Sequence, residues 1–311
     1  MDRPDWRVMH RLGPLFENQM SPWLSAESYW IPSHLVDSAW LQHGAFASWL
    51  VAHLRPRTIV ELGTHNGYSF FAFCEAASRL GLPTQCFALD TWRGDDHAGF
   101  YDEHIFQLVS EVSEVQYPST STLIRGFFDD ALDLFEPESI DLLHIDGRHG
   151  FEDAKHDFES WKTKLSERAV VLFHDIAEHE NGFEVWMLWQ ELSEIYPSFS
   201  FQFGHGLGVL AVGQSVPDEL QTFLQADEAT TNAIQADYEA LGGRIFGIFA
   251  LLKESALLKN DLHSSEMRAN DAIVEVAALR DSLSWRSTRP LRWLSSKFPS
   301  RFRAGAKSLL P

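Results

Sequence analysis

Two short segments hold most of the chain's reactive side chains. Residues 145–149 read Ile-Asp-Gly-Arg-His, and residues 172–175 read Leu-Phe-His-Asp. Each closes a mainly apolar run of strand length, so Asp146, His149, His174 and Asp175 fall at the ends of adjacent strands. Two carboxylates and two imidazoles gathered there can hold a hard divalent cation through Asp146 and Asp175, with a ring nitrogen of His174 completing the shell. They can equally supply a general base near neutral pH. His149, in a Gly-flanked loop three residues past Asp146, is the candidate for that role. The plainer alternatives are a loop-stabilising hydrogen bond for His149 and a packing role for His174.

A second constellation lies upstream. Residues 58–67 read Thr-Ile-Val-Glu-Leu-Gly-Thr-His-Asn-Gly and lead into an apolar helix-like stretch from Tyr68. A β-branched strand running into a helix N-terminus offers backbone N–H groups to a ligand, and Gly63 and Gly67 permit close approach. The pattern is E-x-G-x-x-x-G rather than the G-x-G-x-x-G of dinucleotide sites. A carboxylate at Glu61 disfavours a pyrophosphate and suits a cationic ligand, such as the amino-acid moiety and sulfonium of S-adenosyl-L-methionine (SAM). Thr64 lies inside this turn; His65 there is expected to contribute backbone only. Asp90 and Thr91 end the next strand, where a carboxylate can accept from both ribose hydroxyls of an adenosyl group. Trp92 is either a stacking partner or a rim residue. After the third strand comes Arg125-Gly-Phe-Phe-Asp-Asp, which makes Asp129 a candidate adenine contact or a helix-dipole acid. His156 and Asp157 read as surface or structural residues, and His205 as a turn residue.

These residues need elements to position them. Strand-like runs at 58–62, 85–89, 122–125, 140–145 and 169–173 alternate with helical patterns at 68–80, 100–115, 129–135, 151–165 and 183–195. Segments 198–204 and 208–212 look like a closing hairpin. The alternation predicts a doubly wound α/β sheet with ligands at the carboxyl ends of its strands. With the hairpin it is a Rossmann-like seven-stranded sheet, six strands parallel and one antiparallel. Four segments are expected: an N-terminal helical cap over 1–55, the sheet domain over 56–213, a helical or coiled-coil extension over 214–283 broken near Gly242-Gly243, and a basic aromatic tail over 284–311.

Composition narrows the classes. The net charge is −19, which argues against nucleic-acid binding. From Arg280 onward there are eight Lys/Arg against one acid, while the rest carries 17 basic and 43 acidic residues. That tail, holding Trp285, Trp293, Phe298 and Phe302, can touch anionic lipid head groups or pack on the acidic body. Cys74 and Cys86 read as buried free thiols of a reducing compartment. The longest apolar run, residues 245–252, is far short of the ~20 residues of a membrane span, and the first residues carry no signal core. A cytoplasmic protein, peripheral at the inner membrane at most, is expected.

The motifs Ser38-Ala-Trp-Leu-Gln-His-Gly, Arg55-Pro-Arg-Thr-Ile-Val-Glu-Leu-Gly-Thr, Ala88-Leu-Asp-Thr-Trp, Ile145-Asp-Gly-Arg-His and Phe173-His-Asp resemble class I SAM-dependent methyltransferases over residues 38–213. The resemblance is to the bacterial group found near glycosyltransferases in surface-polysaccharide gene clusters. It implies O-methylation of a sugar hydroxyl in a glycan, with SAM as cofactor. It also implies Mg2+ at Asp146 and Asp175; similar enzymes carry another carboxylate where this chain has His174. The partners implied are a sugar or glycan acceptor and a glycosyltransferase complex; a homo-oligomer is compatible with the extension. Two other functions stay open. One is a metal-dependent oxygenase-like enzyme using His149, His174 and Asp175. The other is a non-catalytic SAM-binding scaffold docked on a glycosyltransferase complex.

Overall fold

The computed structural model describes residues 21–95, 99–100, 102–180 and 182–296. The first part of the expected N-terminal cap and the end of the basic tail lie outside the described residues. Contacts divide the chain into one unit through Phe249 and a second from Ala250.

The first unit is built on a seven-stranded sheet. Its strands are β1 (Thr58–Leu62), β2 (Gln85–Asp90), β5 (Ser121–Arg125), β6 (Ile140–Ile145), β7 (Leu165–His174), β8 (Ser198–Phe201) and β9 (Leu207–Ala211), and a two-residue ladder of β3 (Gly94–Asp95) and β4 (Gly99–Phe100) stands apart. The order is β5-β2-β1-β6-β7-β9-β8. β9 runs antiparallel to both neighbours and every other pair in the sheet is parallel. This is the expected six-plus-one sheet. Its strand order reverses between β1 and β6, which opens a crevice at their carboxyl ends.

Alternation along the strands sorts side chains into two layers. Ile59, Leu142, Val170 and Leu172 join one core with α1 (Gly44–Leu54) and α2 (Tyr68–Arg79). Val60, Leu62, Leu143, Ile145, Val171 and Phe173 join the other with α4 (Phe151–Trp161) and α5 (Val185–Ser193). α3 (Glu103–Gln116) follows the small ladder, and α6 (Asp218–Leu224) precedes α7 (Glu228–Asp281). The opening of α7 packs on the first core through Ile234, Tyr238 and Ile245.

α7 is continuous through Gly242 and Gly243, where a break was expected. The reason is packing. A Cβ on Gly242 would lie 2.1 Å from the Gln42 carbonyl oxygen, so this glycine lets the helix touch the segment that enters α1. The second unit contains the rest of α7, then α8 (Leu283–Ser287) and α9 (Arg289–Ser296). No helix among the described residues is long and apolar enough to cross a membrane.

Candidate functional site

The carboxyl ends of β1, β2, β5, β6 and β7 surround a cavity of about 1170 Å³. That exceeds the space one drug-sized ligand needs and is roomy enough for a cofactor with an acceptor. Of the residues expected at the site, Gly63, Thr64, Gly67, Asp90, Thr91, Asp129, Asp146, His149, His174 and Asp175 all line it. Glu61 does not.

Glu61 is fully buried below the turn, where the β1–β6 register sets it beside His144. Its Oε2 lies 2.8 Å from His144 Nδ1, and its Oε1 has no hydrogen-bond partner among the described residues. Burial raises its pKa, opposed by the His144 ring and the nearby Ser69 hydroxyl. A direct ligand contact at Glu61 is therefore replaced by a buried carboxylate–imidazole pair beneath the site. His144 escaped notice because it stands in an apolar strand.

The turn after β1 is held from the side. Asp90 Oδ2 accepts from the amides of Thr64 and His65, each at 2.9 Å, and Oδ1 accepts from the Trp92 amide at 2.6 Å. A carboxylate has about four acceptor positions, so Asp90 keeps room for one further donor rather than a pair of hydroxyls. Trp92 is buried, and its indole N–H donates to the His65 carbonyl, so it wedges the loop instead of stacking at a rim. Gly63, at φ +88°, could carry no side chain: a Cβ would meet the Asp146 carbonyl at 2.0 Å. The glycine thus lets β1 and β6 converge. Beyond it, the first amides of α2 have no partner within the helix. Tyr68 and Ser69 bring that end to the cavity wall. The buried Thr64 hydroxyl there has no hydrogen-bond partner among the described residues.

On the opposite wall the four expected residues converge. His149 Nε2 lies 2.8 Å from Asp175 Oδ2 and 3.7 Å from Asp146 Oδ1. The His149 ring stacks on Phe183, with centroids 4.3 Å apart. His174 Nδ1 lies 3.3 Å from Asp146 and 3.2 Å from Asp175, and its Nε2 lies 3.1 Å from the Gly204 carbonyl. Every neighbour of the His174 ring nitrogens is an acceptor, so the doubly protonated ring satisfies them all. Burial opposes that charge, but Asp146 and Asp175 outweigh it and hold the pKa well above the ordinary value. His149 follows the same logic: burial lowers its pKa, while the adjacent Asp146 and Asp175 carboxylates raise it to about 9.

Asp146, His149 and Asp175 bring ligand atoms within 4.8 Å of one another, the candidate metal-binding set among the described residues. His149 joins the two carboxylates in this set where His174 was expected, and His174 faces the same carboxylates through Nδ1 while its Nε2 pairs with the Gly204 carbonyl. The set fits a divalent cation with mixed nitrogen and oxygen ligation better than the all-oxygen preference of Mg2+.

Sequence reasoning missed His43, which is fully buried and shares the Gly204 carbonyl with His174 at 2.9 Å. Burial and the nearby His174 charge push its pKa down to about 3, so it is a neutral donor. Its signal was the His-Gly pair opening α1. Asp129 is engaged by His156 Nε2 at 2.9 Å. Asp157, read as surface or structural, is buried on the cavity wall. His205 sits at its turn, with Nδ1 on Glu178, and also borders the cavity.

The class this geometry defines is a doubly wound α/β protein with a cofactor-sized crevice at its switch point. Residues 60–176 match the family model described as a methyltransferase domain. The chain is 44% identical over 276 residues to a Sinorhizobium fredii (strain NBRC 101917 / NGR234) protein described as "Uncharacterized protein y4gI"; the match covers 88% of this chain and 30% of that relative. Among solved structures, a putative caffeoyl-CoA O-methyltransferase from Staphylococcus aureus is 16% identical, with a TM-score of 0.44, covering 67% of this chain and all of that one. An O-methyltransferase from Bacillus cereus in complex with SAH is 14% identical, with a TM-score of 0.42, covering 68% and 93%.

Proposed function

We propose that the protein transfers the methyl group of SAM to a hydroxyl of a sugar or glycan. One observation carries the reading: within the methyltransferase-domain match, a glycine turn with open helix amides faces a carboxylate–histidine cluster across one cavity. The donor set fits the cofactor. The α2 amides at Tyr68 and Ser69 take its carboxylate. The Thr64 hydroxyl, buried and otherwise unpartnered, takes a polar group of the amino-acid end. The remaining acceptor position of Asp90 and the Thr91 hydroxyl take the ribose.

The acceptor hydroxyl lies over Asp146 and His149. His149, in its neutral form, accepts the hydroxyl proton, and Asp175, beside its Nε2, stabilises the resulting imidazolium. The oxygen attacks the methyl carbon as the carbon–sulfur bond breaks, leaving S-adenosylhomocysteine (SAH). In-line displacement makes positioning a large part of the rate. Alternatively, a divalent ion held by Asp146, His149 and Asp175 would lower the pKa of a bound hydroxyl, with His149 then a ligand and not the base. Phe127 and Phe183 also line the cavity, Phe183 stacking on His149, and aromatic faces of this kind suit a polyhydroxylated acceptor. The metal-dependent oxygenase and scaffold alternatives gain nothing from the domain match.

Labelled SAM incubated with the protein and a cell-envelope glycan fraction tests the reading. Label should pass to glycan, and exhaustive chelation followed by Mg2+ or Mn2+ addition reads the metal requirement. Label that enters no hydroxyl-bearing acceptor would remove O-methylation.

A further inference from the structure

Asp157 stands on α4 with its side chain at the cavity wall and only 8% of the residue exposed. No group of the described protein hydrogen-bonds to it. Its Oδ2 lies 3.4 Å from where a Gly147 Cβ would stand, in a niche floored by the Phe128 ring, which comes within 2.7 Å of the same point. The charged groups facing it are His156 and Asp153 on its own helix and Asp129 from the segment after β5. His156 and Asp129 are paired with each other. The site therefore holds a buried, unpartnered carboxyl beside an aromatic floor, one step from the exposed Asp129.

We infer that Asp157 recognises the base edge of the adenosyl group, a role that rests on the SAM reading above. Adenine offers an acceptor at ring N1 beside a donor at its exocyclic amine. A protonated carboxyl offers the complementary O–H and carbonyl oxygen. Burial favours that neutral form, Asp129 and Asp153 reinforce it, His156 opposes it, and the pKa stands at about 7. An ionised Asp157 has only acceptors and loses the N1 contact.

Calorimetric titration of SAH into the full chain tests this. Between pH 6 and pH 8.5 affinity should fall about tenfold or more, following the neutral fraction of a group titrating near 7. Asp157→Asn keeps a donor beside an acceptor, so it should bind at the pH 6 level and lose the pH dependence. Asp157→Leu should bind at least about fivefold more weakly at pH 6, with its melting curve confirming the fold. S-inosylhomocysteine, whose base reverses donor and acceptor, should gain on SAH as pH rises. If Asp157→Asn retains the wild-type pH dependence, or wild-type binding does not vary with pH, this inference fails alone. If the wild type binds no SAH at any pH, the cofactor reading fails and takes this inference with it.

A separate observation concerns the second unit. Along α7, Leu251, Ser255, Leu258, Leu262, Ser265, Ala269, Ala272, Val276 and Leu279 follow an unbroken 4-3 spacing. All are exposed. The d positions are Leu251, Leu258, Ser265, Ala272 and Leu279 and the a positions Ser255, Leu262, Ala269 and Val276, so leucine leads at d with Val276 at a, and the small residues between them leave room for two helices only. In a parallel, in-register pair Glu254 meets the partner Lys259 and Glu275 meets the partner Arg280; only Asp261 against Glu266 is repulsive. The geometry points to a second copy of this chain as the occupant, in a parallel two-stranded coiled coil. Sedimentation equilibrium should give twice the chain mass, and Leu258→Asp with Leu279→Asp should give monomers that still bind SAH. Ser255→Cys, at a seam position, should form an in-register disulfide between copies. A monomeric wild type, a higher oligomer, or failure of Ser255→Cys to cross-link would overturn it.

Discussion

His149 carries the proposed chemistry and also reports on it. Two carboxylates hold its pKa at about 9, so at neutral pH the ring is mainly protonated and cannot accept the acceptor's proton. Turnover should therefore rise with pH and level off above about 9, measured as kcat/KM. His149→Ala should retain SAM binding and lose roughly 10²–10⁴-fold in turnover. A profile flat between pH 7 and 9.5 would remove His149 as the base. The same shift acts on stability with a definite sign. The folded pKa lies above the unfolded value near 6.5, so this contribution is complete below about 6.5 and is lost as pH rises through about 9. Thermal melts of wild type and His149→Gln should converge at alkaline pH. Asp90 differs in kind. It holds three loop amides, so Asp90→Ala should weaken SAM binding about tenfold or more by loosening the turn. Asp90→Asn, which keeps one acceptor oxygen, should recover part of the loss. Equal affinity in all three proteins would exclude Asp90 from any part in the site.

At the scale of elements, close approach decides which glycines matter. A Cβ on Gly242 would strike the Gln42 backbone, while one on Gly243 meets nothing within 4 Å. Gly242→Ala should lower the melting temperature by pushing α7 off its seat. Gly243→Ala, on an exposed helix face, should leave it unchanged or stabilise by up to about 1 kcal/mol. Equal melting temperatures for the two variants would mean that α7 is not seated there. The same contrast explains what could be read from the chain alone. The sheet was legible because β1, β6 and β7 are apolar and bounded by turn residues, and strand ends then located Asp90, Asp146 and Asp175. Gly242-Gly243 misled because a helix break and a close helix contact demand the same residue. The placement of Glu61 was not legible either. Its neighbour His144 lies 83 residues away, and only the β1–β6 register brings them together. Asp157 likewise looks like any acid on an amphipathic helix until the fold sets it at the cavity wall beside Gly147 and Phe128.

On the scale of the whole chain, charge separates the acidic bulk from its basic end. α9 carries Arg289 and Arg292 beside exposed Leu291, Trp293 and Leu294, and Arg292 lies over the Trp285 ring at 3.8 Å. Cationic and aromatic groups in one short helix suit an anionic lipid surface, where each Lys/Arg gains about 1 kcal/mol and salt screens the attraction. A tether of that kind would raise the local concentration of a glycan acceptor carried on lipid. The full-length protein should bind vesicles containing anionic lipid at low ionic strength and release from them in high salt. Replacing Arg286, Arg289 and Arg292 by glutamine should abolish most of that binding without changing the melting temperature. Deleting residues 280–311 should leave SAM affinity intact, because every described residue lining the cavity falls between Asp37 and His205. If the full-length protein ignores anionic vesicles at low salt, the basic end serves contacts with protein instead. Loss of SAM binding on deletion would instead tie the basic end to the cofactor site.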